Sequence, residues 1–170
     1  MYPALTTWQA LTTKINSGLF PGESLETLWL GVEGGIEADL VKRLGIPFEA
    51  IPAAGLHGVG IRAIPGNLLR LVRGYLRARQ ILKRFKPDVL FFTGGYVAVP
   101  VAYAGLHLPK VLFVPDIQPA AALQVLAWVS QKIAISVESS RGYYPKTSQK
   151  RLEVTGYPIR EELKTWTRQA

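Results

Sequence analysis

Cysteine is absent, so the chain can build neither a disulfide framework nor a thiolate metal site. Histidine is scarce: His57 and His107 are the only two, and two isolated imidazoles do not make a metal centre. No apolar run approaches the roughly 20 residues that a membrane-crossing helix needs. The N-terminus has no basic region followed by an apolar stretch, the pattern of a secretory signal. Acidic residues are missing from one long segment, Ala50–Pro87, which carries eight basic ones: Arg62, Arg70, Arg73, Arg77, Arg79, Lys83, Arg84 and Lys86. The other 12 basic residues balance the 12 acidic ones, so this segment supplies the whole net charge of +8. A charge of that kind suits nucleic acid, an anionic membrane surface or a phosphorylated ligand. Nucleic-acid readers add a reading motif or an exposed aromatic platform. Neither is recognisable, so no nucleic-acid partner is expected.

What is present is a globular composition of 170 residues, 48% hydrophobic and 19% charged. That length suits one domain with a sizeable core. Short β-branched or aromatic runs predict strands near Thr27–Leu30, Phe48–Ile51, Val89–Thr93, Val111–Pro115, Ile133–Val137 and Leu152–Val154. Amphipathic stretches predict helices near Ala4–Ser17, Ile36–Leu44, Asn67–Phe85, Val97–Leu106 and Ala120–Val129. Alternation of the two kinds predicts an α/β fold: an open parallel sheet with helices on both faces. The first element is a helix, with Ala4, Leu5, Trp8, Leu11 and Ile15 on its apolar face, whereas a doubly wound domain opens with a strand. The expectation is a domain over residues 1–158 lacking its first strand. Residues 159–170 would begin a linker, and the chain would be a piece of a longer protein.

Thr93-Gly94-Gly95-Tyr96 follows the strongest strand and opens a helix. Adjacent glycines permit a sharp turn whose amides can approach a phosphate or pyrophosphate, reinforced by the helix dipole; a tight turn with no ligand satisfies the same pattern. Gly31-Val32-Glu33-Gly34-Gly35 is a second glycine-rich turn that fits neither the dinucleotide fingerprint nor the lysine-containing phosphate loop. Glu33, Glu37 and Asp39 read as acids favoured at a helix N-terminus. Asp116 and Gln118, just past a strand, suit sugar hydroxyls or the closing of a turn. Neither His57, in the glycine-rich run Gly55–Gly60, nor His107 has a nucleophile beside it in a recognisable motif. Trp8, Trp29 and Trp128 read as packing residues.

The helix Asn67–Phe85 carries the clearest physical signal. At 100° per residue, Leu68, Leu71, Val72, Tyr75, Ala78, Leu82 and Phe85 share a broad core face. Arg70, Arg73, Arg77 and Arg84 lie opposite, with Leu69 and Leu76 at the border. An apolar margin beside an arginine stripe can dip into an anionic membrane surface; a solvated helix face has the same composition.

Read in order, several segments resemble the N-terminal domain of the MurG family of glycosyltransferases. They are Tyr2-Pro3-Ala4-Leu5, Trp29-Leu30-Gly31, Glu37-Ala38-Asp39-Leu40-Val41, Gly55-Leu56-His57-Gly58-Val59-Gly60, Lys86-Pro87-Asp88-Val89, Gly94-Gly95-Tyr96-Val97 and Val154-Thr155-Gly156-Tyr157-Pro158-Ile159-Arg160. The resemblance implies the Rossmann-like N-terminal half of a two-domain GT-B transferase. That half takes a lipid-linked pyrophosphoryl muramoyl-pentapeptide, and an absent C-terminal domain, in the same chain or from a partner, takes UDP-N-acetylglucosamine. It implies inversion without a metal and no cofactor, in the cytoplasm at the inner face of the plasma membrane during peptidoglycan synthesis. It assigns Gly94, Gly95 and Tyr96 to the acceptor, and Asp116 and Gln118, read above as partners for sugar hydroxyls, complete the expected acceptor set. It assigns Leu69, Arg70, Val72, Arg73, Tyr75, Leu76, Arg77 and Leu106 to the membrane surface, moving Val72 and Tyr75 off the core face. The family's general base falls upstream of Met1, so the catalytic residue is unknown and the isolated chain is expected to be inactive. Where the family shows a His-Glu-Gln-Asn-like run, this chain has Asp116-Ile117-Gln118. Rival expectations are a different glycolipid acceptor, a non-catalytic basic binding module, and a small-molecule enzyme using His57.

Overall fold

A computed structural model describes residues 2–32, 34–35, 37–54 and 64–159. The sequence features at Glu33, Gly55–Gly60 with His57, Arg62 and 160–170 therefore lie outside the described residues. The elements run α1 (Tyr2–Asn16), β1 (Trp29–Val32), α2 (Glu37–Arg43), β2 (Phe48–Ile51), α3 (Ile64–Phe85), β3 (Leu90–Phe92), α4 (Ala98–Ala104), β4 (Lys110–Val114), α5 (Ala121–Val129), β5 (Lys132–Ile135) and β6 (Leu152–Val154). Two 3-10 helices, Glu138–Tyr143 and Lys146–Arg151, bridge β5 and β6. Every strand pairing is parallel, as strand–helix alternation predicts.

The strands form two sheets, β1-β2 and β3-β4-β5-β6. The α3 crossover from β2 to β3 links them, and one core spans both. Ile51 of β2 joins Leu90, Phe92, Leu112, Val114, Ile133 and Ile135 in a cluster with residues of α3, α4 and α5. A second, smaller cluster of Leu5, Val41 and Ile46, with Trp8, Trp29 and Phe48 against it, fastens α1 and α2 to β1-β2. The opposite side of β3 is less covered: Phe91 is 39% exposed between buried Leu90 and Phe92.

Several sequence expectations need correction. The predicted apolar face of α1 is buried only at its start: Leu5 is in the core, whereas Leu11 is exposed, because α1 outruns the sheet it packs on. Trp8 and Trp29 pack as expected, but Trp128 is 67% exposed at the end of α5. In α3 the buried face is narrower than the apolar arc. Ala78, Ile81 and Leu82 are buried, while Leu68 and Val72 are exposed, because only the second half of the helix lies on the core. Gly74 marks where α3 comes closest: a Cβ there would collide with the Pro52 carbonyl at the end of β2.

Two cations serve as internal fasteners. Lys110, at the start of β4, is fully buried, and its Nζ donates to the carbonyls of Leu106 (3.1 Å) and Leu108 (2.6 Å) after α4. Burial without a counter-charge lowers its pKa from the usual 10.5. Arg151 Nη1 donates to the carbonyls of Ala127 (3.0 Å), Trp128 (3.3 Å) and Ser130 (2.5 Å), satisfying the end of α5.

Candidate functional site

Parallel strands deliver their following loops to one edge, where open α/β sheets bind ligands. The loop after β3 holds Gly94 and Gly95, with φ of 109° and 87°. Side chains rarely adopt that backbone, so the glycines permit the turn. A side chain at Gly94 would also press on Leu123 Cδ2, at 3.3 Å. Tyr96 is exposed beyond the turn. The loop after the neighbouring strand β4 carries Asp116, Ile117 and Gln118, all exposed. The residues expected from the sequence to form a ligand site are thus carried on adjacent loops at one sheet edge. The helix behind Gly94-Gly95 is shorter than predicted, seven residues rather than the Val97–Leu106 span. Backbone amides of the turn, more than a long helix dipole, are what this loop can offer an anion.

The second glycine-rich turn, after β1, is already filled. Glu37 opens α2, and its Oε1 accepts a hydrogen bond from the Val32 amide at 3.3 Å. Both carboxylate oxygens lie 2.6 Å from where a side chain at Gly35 would begin. The internal carboxylate holds the place that an anionic ligand would need, so of the two glycine-rich turns among the described residues Gly94-Gly95 is the open one. Glu37 sits at the helix N-terminus as expected, and from there it clamps its own loop.

The basic stripe of α3 divides in two. Arg77 and Arg84 both reach Glu49 on β2, Arg77 at 3.3 Å. Arg70 and Arg73 have no carboxylate partner among the described residues. They line an open cavity of about 360 Å³ with Val32, Pro52 and Ala53, at the carboxyl ends of β1 and β2. On the same helix Leu69, Val72 and Leu76 are exposed and Tyr75 is half-buried; Leu106, after α4, is also exposed but follows Gly105, which packs near Leu82 toward the other end of α3. The predicted surface patch therefore loses Arg77 to an ion pair and keeps Tyr75 only in part. A separate cavity of about 50 Å³, lined by Gln124, Trp128, Tyr143, Tyr144 and Ser148, touches none of these residues.

Sequence reasoning missed Ser136, the residue after β5. Its Oγ lies 3.1 Å from both the Val114 and the Pro115 carbonyls, where β4 turns into the Asp116–Gln118 loop. A lone serine after an apolar run carries no motif that would have exposed it. The Thr155-Gly156-Tyr157 turn is also tied to this edge. The Thr155 amide donates to the Ile135 carbonyl (3.0 Å), and the Tyr157 ring meets Phe113 edge-on, with centroids 6.0 Å apart. Among the described residues no group of acidic or histidine side chains could hold a metal ion.

Comparison with known proteins agrees with this architecture. The chain is 36% identical over 140 residues to the UDP-N-acetylglucosamine--N-acetylmuramyl-(pentapeptide) pyrophosphoryl-undecaprenol N-acetylglucosamine transferase of Geobacter metallireducens, covering 81% of this chain and 38% of that protein. The enzyme of the same name from Halalkalibacterium halodurans is 33% identical over 171 residues, 99% of this chain and 44% of the relative. The chain thus spans less than half the length of these relatives. The crystal structure of Acinetobacter baumannii MurG shares the fold with a TM-score of 0.68 at 20% identity, over 96% of this chain and 43% of that one. Residues 20–135 match the glycosyltransferase family 28 N-terminal domain, and the chain belongs to that family.

Proposed function

We propose that this chain is the acceptor-binding part of a hexosyltransferase that adds N-acetylglucosamine to a lipid-linked pyrophosphoryl muramoyl-pentapeptide in peptidoglycan synthesis. The observation that carries the reading is the exposed Gly94-Gly95 turn beside the Asp116–Gln118 loop, while among the described residues the turn after β1 is occupied by the Glu37 carboxylate. The turn's amides would take the pyrophosphate, Asp116 and Gln118 the sugar hydroxyls, and Tyr96 the flank of the acceptor. The relatives are named for a UDP-sugar donor and an undecaprenyl-linked acceptor; the donor would occupy a further domain, in the same chain or from a partner.

Arg70 and Arg73, with Leu69, Val72, Leu76 and Leu106, would rest on the anionic inner surface of the plasma membrane. Tyr75 would border that patch, and Arg77 would contribute through its field while paired with Glu49. No described helix is long and apolar enough to cross a membrane, which fits a peripheral mode. A second reading, a different glycolipid acceptor, rests on the Asp116-Ile117-Gln118 run.

Co-sedimentation with anionic vesicles tests the proposal, with and without incorporated lipid-linked muramoyl-pentapeptide diphosphate, at low and high salt. Binding that strengthens with the acceptor and survives moderate salt is expected. Binding that ignores the acceptor and vanishes with salt would reduce the helix to a nonspecific cationic face.

A further inference from the structure

The Asp116–Gln118 loop leaves the sheet where backbone pairing stops. The β4–β5 register ends at Val114 opposite Ile135. Pro115 and Ser136 are the next residues of their two strands, just past that last pair. The half-buried Ser136 hydroxyl lies 3.1 Å from the carbonyl oxygens of both Val114 and Pro115. A hydroxyl has a single proton to donate, so the bond is shared between the two carbonyls and holds both at one distance. The strand behind the hydroxyl is itself fixed on its other side: β6 pairs with β5, and the Thr155 amide takes the Ile135 carbonyl at 3.0 Å. The clamp therefore sits on a rigid element and acts on an exposed loop. Fixing the Pro115 carbonyl sets the direction in which Asp116 and Gln118 depart from β4.

We propose that Ser136 is a positioning residue that aims the Asp116–Gln118 loop at the acceptor's sugar. The inference rests on the acceptor reading above. Removing the hydroxyl leaves the fold and the charge intact but frees the loop, so sugar-dependent affinity falls while pyrophosphate affinity does not.

The test compares Ser136→Thr with Ser136→Val. The two side chains have nearly the same shape, so they differ at the hydroxyl. Each variant and the wild-type chain are titrated with two probes: a short-chain prenyl diphosphate, and the same lipid carrying diphosphate-linked N-acetylmuramoyl pentapeptide. Loss of a single hydrogen bond corresponds to roughly two- to ten-fold in affinity. Ser136→Val should weaken the sugar-bearing probe by about that factor and leave the bare diphosphate unchanged. Ser136→Thr should restore wild-type affinity for both. Equal binding of the sugar-bearing probe by Ser136→Val and wild type overturns the positioning role while the acceptor reading stands. Equal weakening toward both probes also overturns it, since that is general loosening of the edge. Failure of the wild-type chain to distinguish the sugar-bearing probe from the bare diphosphate overturns the acceptor reading and this inference together.

Discussion

At the scale of single residues, the site depends on backbone that only glycine adopts easily. Gly94→Ala and Gly95→Ala each force a side chain into φ of 109° or 87°, a cost of about 1–2 kcal/mol. Gly94→Ala also presses on Leu123, so it should lower the melting temperature more than Gly95→Ala. Thermal denaturation of the two variants checks that order. Tyr144 supplies a second expectation. Its hydroxyl is buried with no hydrogen-bond partner among the described residues, and burial pushes its pKa from 10.0 up to about 12. The unfolded phenol releases its proton near pH 10, while the folded one holds it until about 12. The folded state binds more protons in that window, so stability falls as pH rises through it. Lys110 runs the other way. Its folded pKa is lowered from 10.5, so the cost of burying the charged amine is relieved as pH rises toward 10.5. Tyr144→Phe should therefore lose less stability than wild type between pH 10 and 12, and denaturant melts across that range measure it.

The glycine turn and the Asp116/Gln118 pair were legible in the sequence because strand-ending chemistry is local. Ser136 and the Glu37 clamp were not. Each is defined by a partner that periodicity does not reveal: a carbonyl of the adjacent strand, or the amide of Val32.

At the scale of elements, α3 shows what a helical wheel can and cannot say. Its apolar arc was correct as chemistry but too long as a core face. Leu68 and Val72 extend past the sheet while Ala78 and Ile81 lie on it. A wheel gives angle and not the point along the axis where the partner ends. The same limit explains Leu11 in α1. The arginine stripe likewise looked uniform until Glu49, from a distant strand, took Arg77 and Arg84. That division makes a prediction with its own control. Replacing Arg70 and Arg73 together by Gln changes the net charge as much as replacing Arg77 and Arg84 by Gln. If Arg70 and Arg73, which have no carboxylate partner among the described residues, each contribute about 1 kcal/mol at an anionic surface, the first pair should weaken vesicle binding by roughly 30-fold. The second pair should weaken it distinctly less, as read by co-sedimentation at fixed salt. Gly74 offers a structural counterpart. Alanine there gains about 1 kcal/mol of helix propensity but must displace α3 from the Pro52 carbonyl, at about 1–3 kcal/mol of overpacking. The Cβ is fixed to the helix and its neighbour is a backbone carbonyl, so neither side can turn away and Gly74→Ala should lower the melting temperature.

At the scale of the whole molecule, strand–helix alternation was enough to predict a parallel α/β fold, and all pairings observed are parallel. The division into sheets of two and four strands was not readable, because pairing partners are chosen across the chain. The arrangement concentrates exposed loops, the Gly94-Gly95 turn and the Arg70/Arg73 cavity at carboxyl ends of strands. A surface of that kind suits a ligand that carries an anionic group.

The central claim is that this chain recognises the acceptor and not the sugar nucleotide. Calorimetric titration of the chain with a short-chain, diphosphate-linked N-acetylmuramoyl pentapeptide, and separately with UDP-N-acetylglucosamine, tests it most directly. The account predicts saturable binding of the first, lost in Gly94→Ala, and no binding of the second. Binding of the sugar nucleotide with indifference to the lipid-linked probe would contradict it.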